Sequence, residues 1–102
     1  AKQAGVDPNL VFNAIRGGLA GSAVMEAKGP MMLEHNTKPG FRIALHLKDL
    51  NNVLSTAQGI GCLVPLTQKL MEIMKNVAAS GHLHSDHSAL VHYFESLNEV
   101  EL

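Results

Sequence analysis

The sequence predicts an all-α fold, a compact multi-helix domain of about five helices. Apolar residues recur at three- and four-residue intervals in one segment after another. The clearest stripe is Ile43, Leu47, Leu50, Leu54 and Ala57. Helix-opening residues alternate with glycine stops along the whole chain, and no stretch alternates polar with apolar residues as a half-buried strand would.

Each element has its own signals. Ala1–Val6 reads as the last turn of a helix stopped by Gly5, so the chain is expected to be a fragment whose preceding helix lies upstream. Asp7-Pro8 is an N-cap followed by proline at the first helical position, where its missing N–H costs nothing. The helix it opens carries Leu10, Val11, Ala14 and Ile15 on one side and stops at Gly17-Gly18. Ser22 caps the next helix, which runs to about Glu34, with Gly29-Pro30 as the point where it can break. Asn36–Gly40 is a polar turn. The Ile43 stripe defines the third helix, which ends within Gly59–Gly61. Pro65 opens a fourth with Leu66, Leu70, Ile73 and Val77 as its apolar stripe and Gly81 as its stop. Ser85 or Asp86 caps the last, built on Leu90, Phe94 and Leu97.

Composition narrows the function classes. A chain of 102 residues holds one domain and is too short for a cofactor domain plus a substrate domain. With 46% hydrophobic and 17% charged residues it is globular, and a formal net charge of −1 with scattered Lys and Arg leaves no footprint for nucleic acid or an anionic membrane. No apolar run is long enough to span a bilayer. The single cysteine, Cys62, forms no intrachain disulfide, which suits a reducing, cytoplasmic setting. The apolar fraction is high for so small a domain, which points to surface reserved for a partner.

Several residue groups could carry chemistry. Lys48-Asp49 sits beside the Ile43 stripe, with Lys48 in line with Leu45 and Asn52, and Asp49 in line with His46 and Val53. An ammonium there could hold a carboxylate or a cofactor oxygen, and the plainer reading is a pair of solvated flank charges. His82, His84, Asp86, His87 and His92 crowd one stretch, but without a nearby cysteine and with His84 and His87 on either side of a helix cap they read as a polar loop titrating near neutrality, with no metal expected. Cys62 lacks a base nearby in sequence and reads as a small buried filler. The glycines of Arg16–Ser22 (RGGLAGS) lack the strand and the Lys-Ser/Thr of a phosphate loop, and read as a helix stop, a loop and a cap. Met25, Met31, Met32, Met71 and Met74 lie at helical spacings and read as adaptable packing.

Four strings carry a resemblance: AGVDPNLVFNAIRGGLAGSAV from Ala4, PGFRIALHLKDLNNVLSTA from Pro39, GCLVPLTQKLMEIM from Gly61 and SDHSALVHYFE from Ser85. Together they resemble the C-terminal domain of the 3-hydroxyacid dehydrogenase family, which includes 3-hydroxyisobutyrate and 6-phosphogluconate dehydrogenases. The Lys48-Asp49-Leu50 triplet, Phe41 shortly before it, and the Asp86-x-Ser88-Ala89-Leu90 string match in order and spacing. RGGLAGS narrows the resemblance to the tartronate semialdehyde reductase subgroup.

The resemblance implies a larger enzyme. An N-terminal Rossmann domain and an interdomain helix would precede residues 1–102, and this helical domain would close the active site and build subunit contacts. It implies NAD as cofactor, reversible hydride transfer to or from a small 3-hydroxy acid or its semialdehyde, and self-association as a homo-oligomer. Lys48 is then expected to bind cofactor, with Phe41 and Asp49 lining the substrate pocket. No catalytic residue is expected here, because the family's catalytic lysine lies upstream, so the isolated chain is expected to be inactive. A stand-alone helical dimerisation module without catalysis is the alternative.

Overall fold

The computed structural model describes residues 1–102 as five α-helices: α1 (Pro8–Arg16), α2 (Ala23–Leu33), α3 (Ile43–Gly59), α4 (Pro65–Val77) and α5 (Val91–Asn98). Single turns of 3-10 helix at Lys2–Ala4 and His87–Leu90, and a π-helical turn at Ala78–His82, complete the regular structure. There is no sheet, only an isolated antiparallel bridge between Arg42 and Asp86. No helix is long and apolar enough to cross a membrane.

The local signals act as read. Asp7 accepts the Asn9 N–H at the start of α1, with Pro8 at the first helical position, and Ser22 accepts the Met25 N–H at the start of α2. Gly5 holds φ 73°, the left-handed turn that ends the first 3-10 segment. In one respect α2 departs from expectation. It runs unbroken through Gly29-Pro30. Gly29 is needed for packing: a Cβ there would lie 2.5 Å from Cε2 of Phe12, so the bare backbone is what lets α1 lie close against α2. An ion pair from Arg16 to Glu26 joins the same two helices, and the Arg16 guanidinium sits 4.8 Å above the Phe12 ring.

The core lies elsewhere. Ile43, Leu50, Met71, Met74, Val77 and Ala89 form one buried cluster, with Leu47, Leu54, Leu70, Ala78, Leu90 and Tyr93 packed around it. It is therefore built from α3, α4 and the His87–Leu90 turn, with α5 closing one side. The α3 stripe is the expected one. The α4 stripe is the expected one only in part: Val77 is buried and Leu70 packs against the core, but the other buried positions are Met71 and Met74, and Leu66 is 85% exposed. Leu90, at the end of the His87–Leu90 turn, packs as expected, whereas on α5 Phe94 and Leu97 face outward and Tyr93 packs instead. In both helices the inward face is rotated by about one residue from the apparent stripe, since the neighbouring helix decides which side is covered.

Only nine of 102 residues are buried, and none of them lies in α1 or α2. The radius of gyration is 14.9 Å, against about 13 Å for a compact chain of this length. The excess goes with a helical arm, α1–α2, that adds no fully buried residue to the α3–α4–α5 body. Leu10, Leu19 and Val24 on that arm are 64%, 110% and 66% exposed.

Candidate functional site

The arm meets the body at a junction centred on Asp86. The segment before α3 and the segment before the His87–Leu90 turn exchange backbone hydrogen bonds: Asp86 N–H donates to Thr37 C=O at 2.9 Å and His87 N–H to Phe41 C=O at 2.8 Å. Residue 42 offers α3 no side-chain cap, and the helix is capped through the fold instead. The Ile43 and Ala44 N–H groups donate to the carbonyls of Ser85 and Leu83, each at 3.0 Å.

Asp86 is fully buried and saturated with donors. Its Oδ1 accepts from Gly40 N–H, Phe41 N–H and Lys28 Nζ, each at 2.9 Å, and its Oδ2 accepts from Ser88 N–H at 2.9 Å. Burial alone would push this carboxyl up. The Phe41 N–H, the Lys28 ammonium and the Ser88 and Gly40 N–H groups outweigh burial and hold it well below the usual carboxylate range. From sequence Asp86 is one of two candidate caps. In the fold it also ties α2, the Gly40-Phe41 turn and the last helical segment together. The neighbouring Ser88 hydroxyl is buried without a partner.

Phe41 is placed by this staple. Its ring packs against His46 and His87 at centroid distances of 5.9 and 5.4 Å, and the two imidazoles share a hydrogen bond of 3.2 Å between their Nδ1 atoms. One must donate and the other accept. Burial pushes His87 down from 6.5; the Asp86 carboxylate opposes this, while Lys28 and His46 add to it. Asp49 follows His46 by three residues on α3 and so shares its face, while Lys48 lies on the flank with Leu45. Lys48 and Asp49 form an exposed ion pair of 3.3 Å, their side chains 65% and 52% accessible. The structure thus joins Phe41 to His46, His87 and the Asp86 staple, and joins Lys48 to Asp49.

The remaining histidines are redistributed. His84 is exposed, and His82 stacks on His92 at 4.6 Å, its pKa lowered by burial and by the nearby His92. His35, from the end of α2, joins His92 and Glu95 in a cluster that sequence spacing could not reveal, because it lies 57 residues from His92. Cys62 is exposed, not a buried filler, since it sits in the turn after α3 where no second layer covers it.

The family profile described as the NAD-binding domain of NADP-dependent 3-hydroxyisobutyrate dehydrogenase matches residues 1–94. The chain belongs to that family.

Among its relatives, 2-hydroxy-3-oxopropionate reductase of Escherichia coli (strain K12) is 42% identical over 102 residues, all of this chain and 35% of the relative. The probable 3-hydroxyisobutyrate dehydrogenase-like 1, mitochondrial, of Arabidopsis thaliana is 29% identical over 102 residues and 30% of its length. The crystal structure of a 3-hydroxyisobutyrate dehydrogenase from Salmonella typhimurium superposes with a TM-score of 0.84 at 20% identity, covering 89% of this chain and 32% of that one. The all-α fold is therefore shared with the matched third of that structure. The chain spans about a third of the length of these relatives.

Proposed function

We propose that residues 1–102 are the helical C-terminal domain of an NAD-dependent reductase that interconverts tartronate semialdehyde (2-hydroxy-3-oxopropanoate) and glycerate. The observation that carries this reading is the 42% identity to the E. coli 2-hydroxy-3-oxopropionate reductase over every residue of the chain. The Rossmann domain and interdomain helix would precede Ala1 in the same polypeptide, and the protein would work in the cytoplasm.

The donor set fits an anionic cofactor or substrate at one contact. Lys48 is held only by an exposed neighbour, and an exposed ion pair is worth at most about 1 kcal/mol. Its ammonium can therefore leave Asp49 for a phosphate or carboxylate at little loss. Bound nicotinamide supplies or accepts the hydride. Lys48 would steady the cofactor from the open side, Phe41 would wall the substrate and exclude water, and Asp49 would orient the polar end of the substrate beside Lys48. No proton transfer is assigned to a residue of this chain; the catalytic lysine is proposed to lie upstream.

The exposed apolar residues of the arm support association with the enzyme's own N-terminal domain and with a second copy. The same surface favours the second reading, a stand-alone association module. One experiment separates them. The complete gene product should oxidise NADH in the presence of tartronate semialdehyde, and residues 1–102 alone should not. A complete gene product that dimerises, binds no nicotinamide cofactor and reduces no semialdehyde acid overturns the enzymatic reading.

A further inference from the structure

Away from the Phe41–Lys48 region, three ligand-bearing side chains converge where the end of α2 meets α5. His92 and Glu95 are three residues apart on α5 and share a face. His35 arrives from another element, one residue past the α2 C-cap, with φ 51°, in the left-handed region that a non-glycine residue rarely holds. That conformation carries its ring across to α5. His35 Nε2 lies 2.7 Å from Glu95 Oε1, and His92 Nδ1 lies 2.9 Å from Glu95 Oε2. One ligating atom from each residue can be chosen so that all lie within 4.8 Å of one another. All three residues are half-buried, and the His35 and His92 rings stack at 5.8 Å.

We infer that His35, His92 and Glu95 form a site for a divalent transition-metal ion of the zinc class. Two imidazoles and one carboxylate are a donor set that zinc takes in three-ligand sites with an open fourth position, and imidazole favours such ions over magnesium or calcium. Metal–donor bonds of about 2.0–2.2 Å place neighbouring donors about 3–3.5 Å apart around a tetrahedral ion. The His–Glu contacts of 2.7 and 2.9 Å would lengthen slightly, and a donor pair now as far as 4.8 Å apart would close, both by rotation of half-buried side chains. The imidazole nitrogens now facing Glu95 would face the ion as lone pairs, which requires only the other tautomer. His92 and Glu95 also line a cavity of about 310 Å³ together with Ser80, His82 and Tyr93, which could admit a water to the fourth position. His82 stands over His92 there, and Leu102 N–H donates to Glu95 Oε1 at 2.9 Å, so an ion would also tie the chain's last residue to the end of α2. The strained backbone of His35 is consistent with a position kept for its side chain.

The test uses the complete polypeptide, stripped with EDTA and titrated with Zn²⁺ by calorimetry, with Co²⁺ absorption to report coordination. The parent is expected to take up one Zn²⁺ that raises its melting temperature, reversed by EDTA. Glu95→Gln and His35→Asn should each weaken that uptake at least tenfold; asparagine tolerates the left-handed backbone, so His35→Asn keeps the fold. His84→Ala and Cys62→Ser, which alter exposed donors outside the trio, should bind like the parent. A parent that takes up no Zn²⁺, or His35→Asn and Glu95→Gln variants that bind as the parent does, overturns the site and leaves the trio a hydrogen-bonded bridge between helices.

Discussion

Replacing Asp86 by alanine tests the junction most directly. The change strips acceptors from three backbone N–H groups and leaves the Lys28 ammonium, 19% exposed, without its partner. Hydrogen bonds to a charged group are worth about 1.5–3 kcal/mol each. Three or four such bonds do not add, because they share one carboxylate and part of the loss is recovered by water. Removing one partner of a buried ion pair costs about 3–5 kcal/mol, and that is the expected destabilisation. Asp86→Asn should lose less: its oxygen still serves Gly40 and Phe41, but its amide nitrogen meets the Ser88 N–H as a second donor. Urea unfolding followed by circular dichroism at neutral pH measures both.

The same variants carry a pH signature. The folded carboxyl titrates well below its ordinary value of 3.8, so its contribution is complete above that value and is lost as the pH falls from about 4 toward the folded pKa. Asp86→Ala should therefore flatten the acid limb of the parent's stability curve. A loss below about 1 kcal/mol, or an unchanged acid limb, would refute the idea that this carboxylate holds the junction together.

Lys48→Ala in the complete enzyme should lower kcat/KM by about tenfold to a hundredfold, the worth of one charge-assisted contact, with an unchanged melting temperature. Leu50→Ala, two residues on and 8% exposed, should instead destabilise by roughly 2–5 kcal/mol; steady-state kinetics and melts on both variants distinguish site from core, and a fully active Lys48→Ala would return Lys48 to the solvated surface. Gly29→Ala should lower the melting temperature although alanine is the better helix former by about 1 kcal/mol, because the new Cβ displaces the Phe12 ring; a stabilised variant would show that α1 and α2 pack loosely. Sedimentation at micromolar concentration should find the protein self-associated, and Leu10→Lys with Leu19→Lys should shift it toward monomer; a monomeric parent would count against the arm as a contact surface.

The features legible in the sequence were those determined locally. Asp7-Pro8, Ser22, Pro65 and Gly5 act within a turn of themselves, so the helix boundaries follow from chemistry that needs no neighbour. The α3 stripe was also legible, because α3 is long and covered on one side only. What escaped was tertiary. Asp86 reads as one helix cap among two candidates until Lys28 and the Gly40-Phe41 turn are brought to it from 58, 46 and 45 residues away. Leu66 looks like core and Met71 like filler until α3 and the His87–Leu90 turn cover one face of α4 and leave the other in solvent. His35 carries no signal at all beyond being a histidine. The Phe41–Lys48 region became a candidate site through family resemblance, since an exposed Lys-Asp pair is common on helices.

The helical arm has a consequence for how the chain folds and breathes. α1 and α2 hold no fully buried residue, and α2 is tied to the body at its later end through Lys28 and His35, so α1 and the start of α2 should open at a lower free energy than the α3–α4–α5 body. Amide protons in α1 should exchange through local opening, while those around Ile43 and Met74 should wait for global unfolding. Whatever surface covers Leu10, Leu19 and Val24 then supplies the arm with its missing cooperativity, and raises the protection of α1 by the free energy of that docking. Subunit assembly and the last stage of folding become one equilibrium. A substitution at the contact would register in solution as premature fraying of two helices rather than as a uniformly weaker protein.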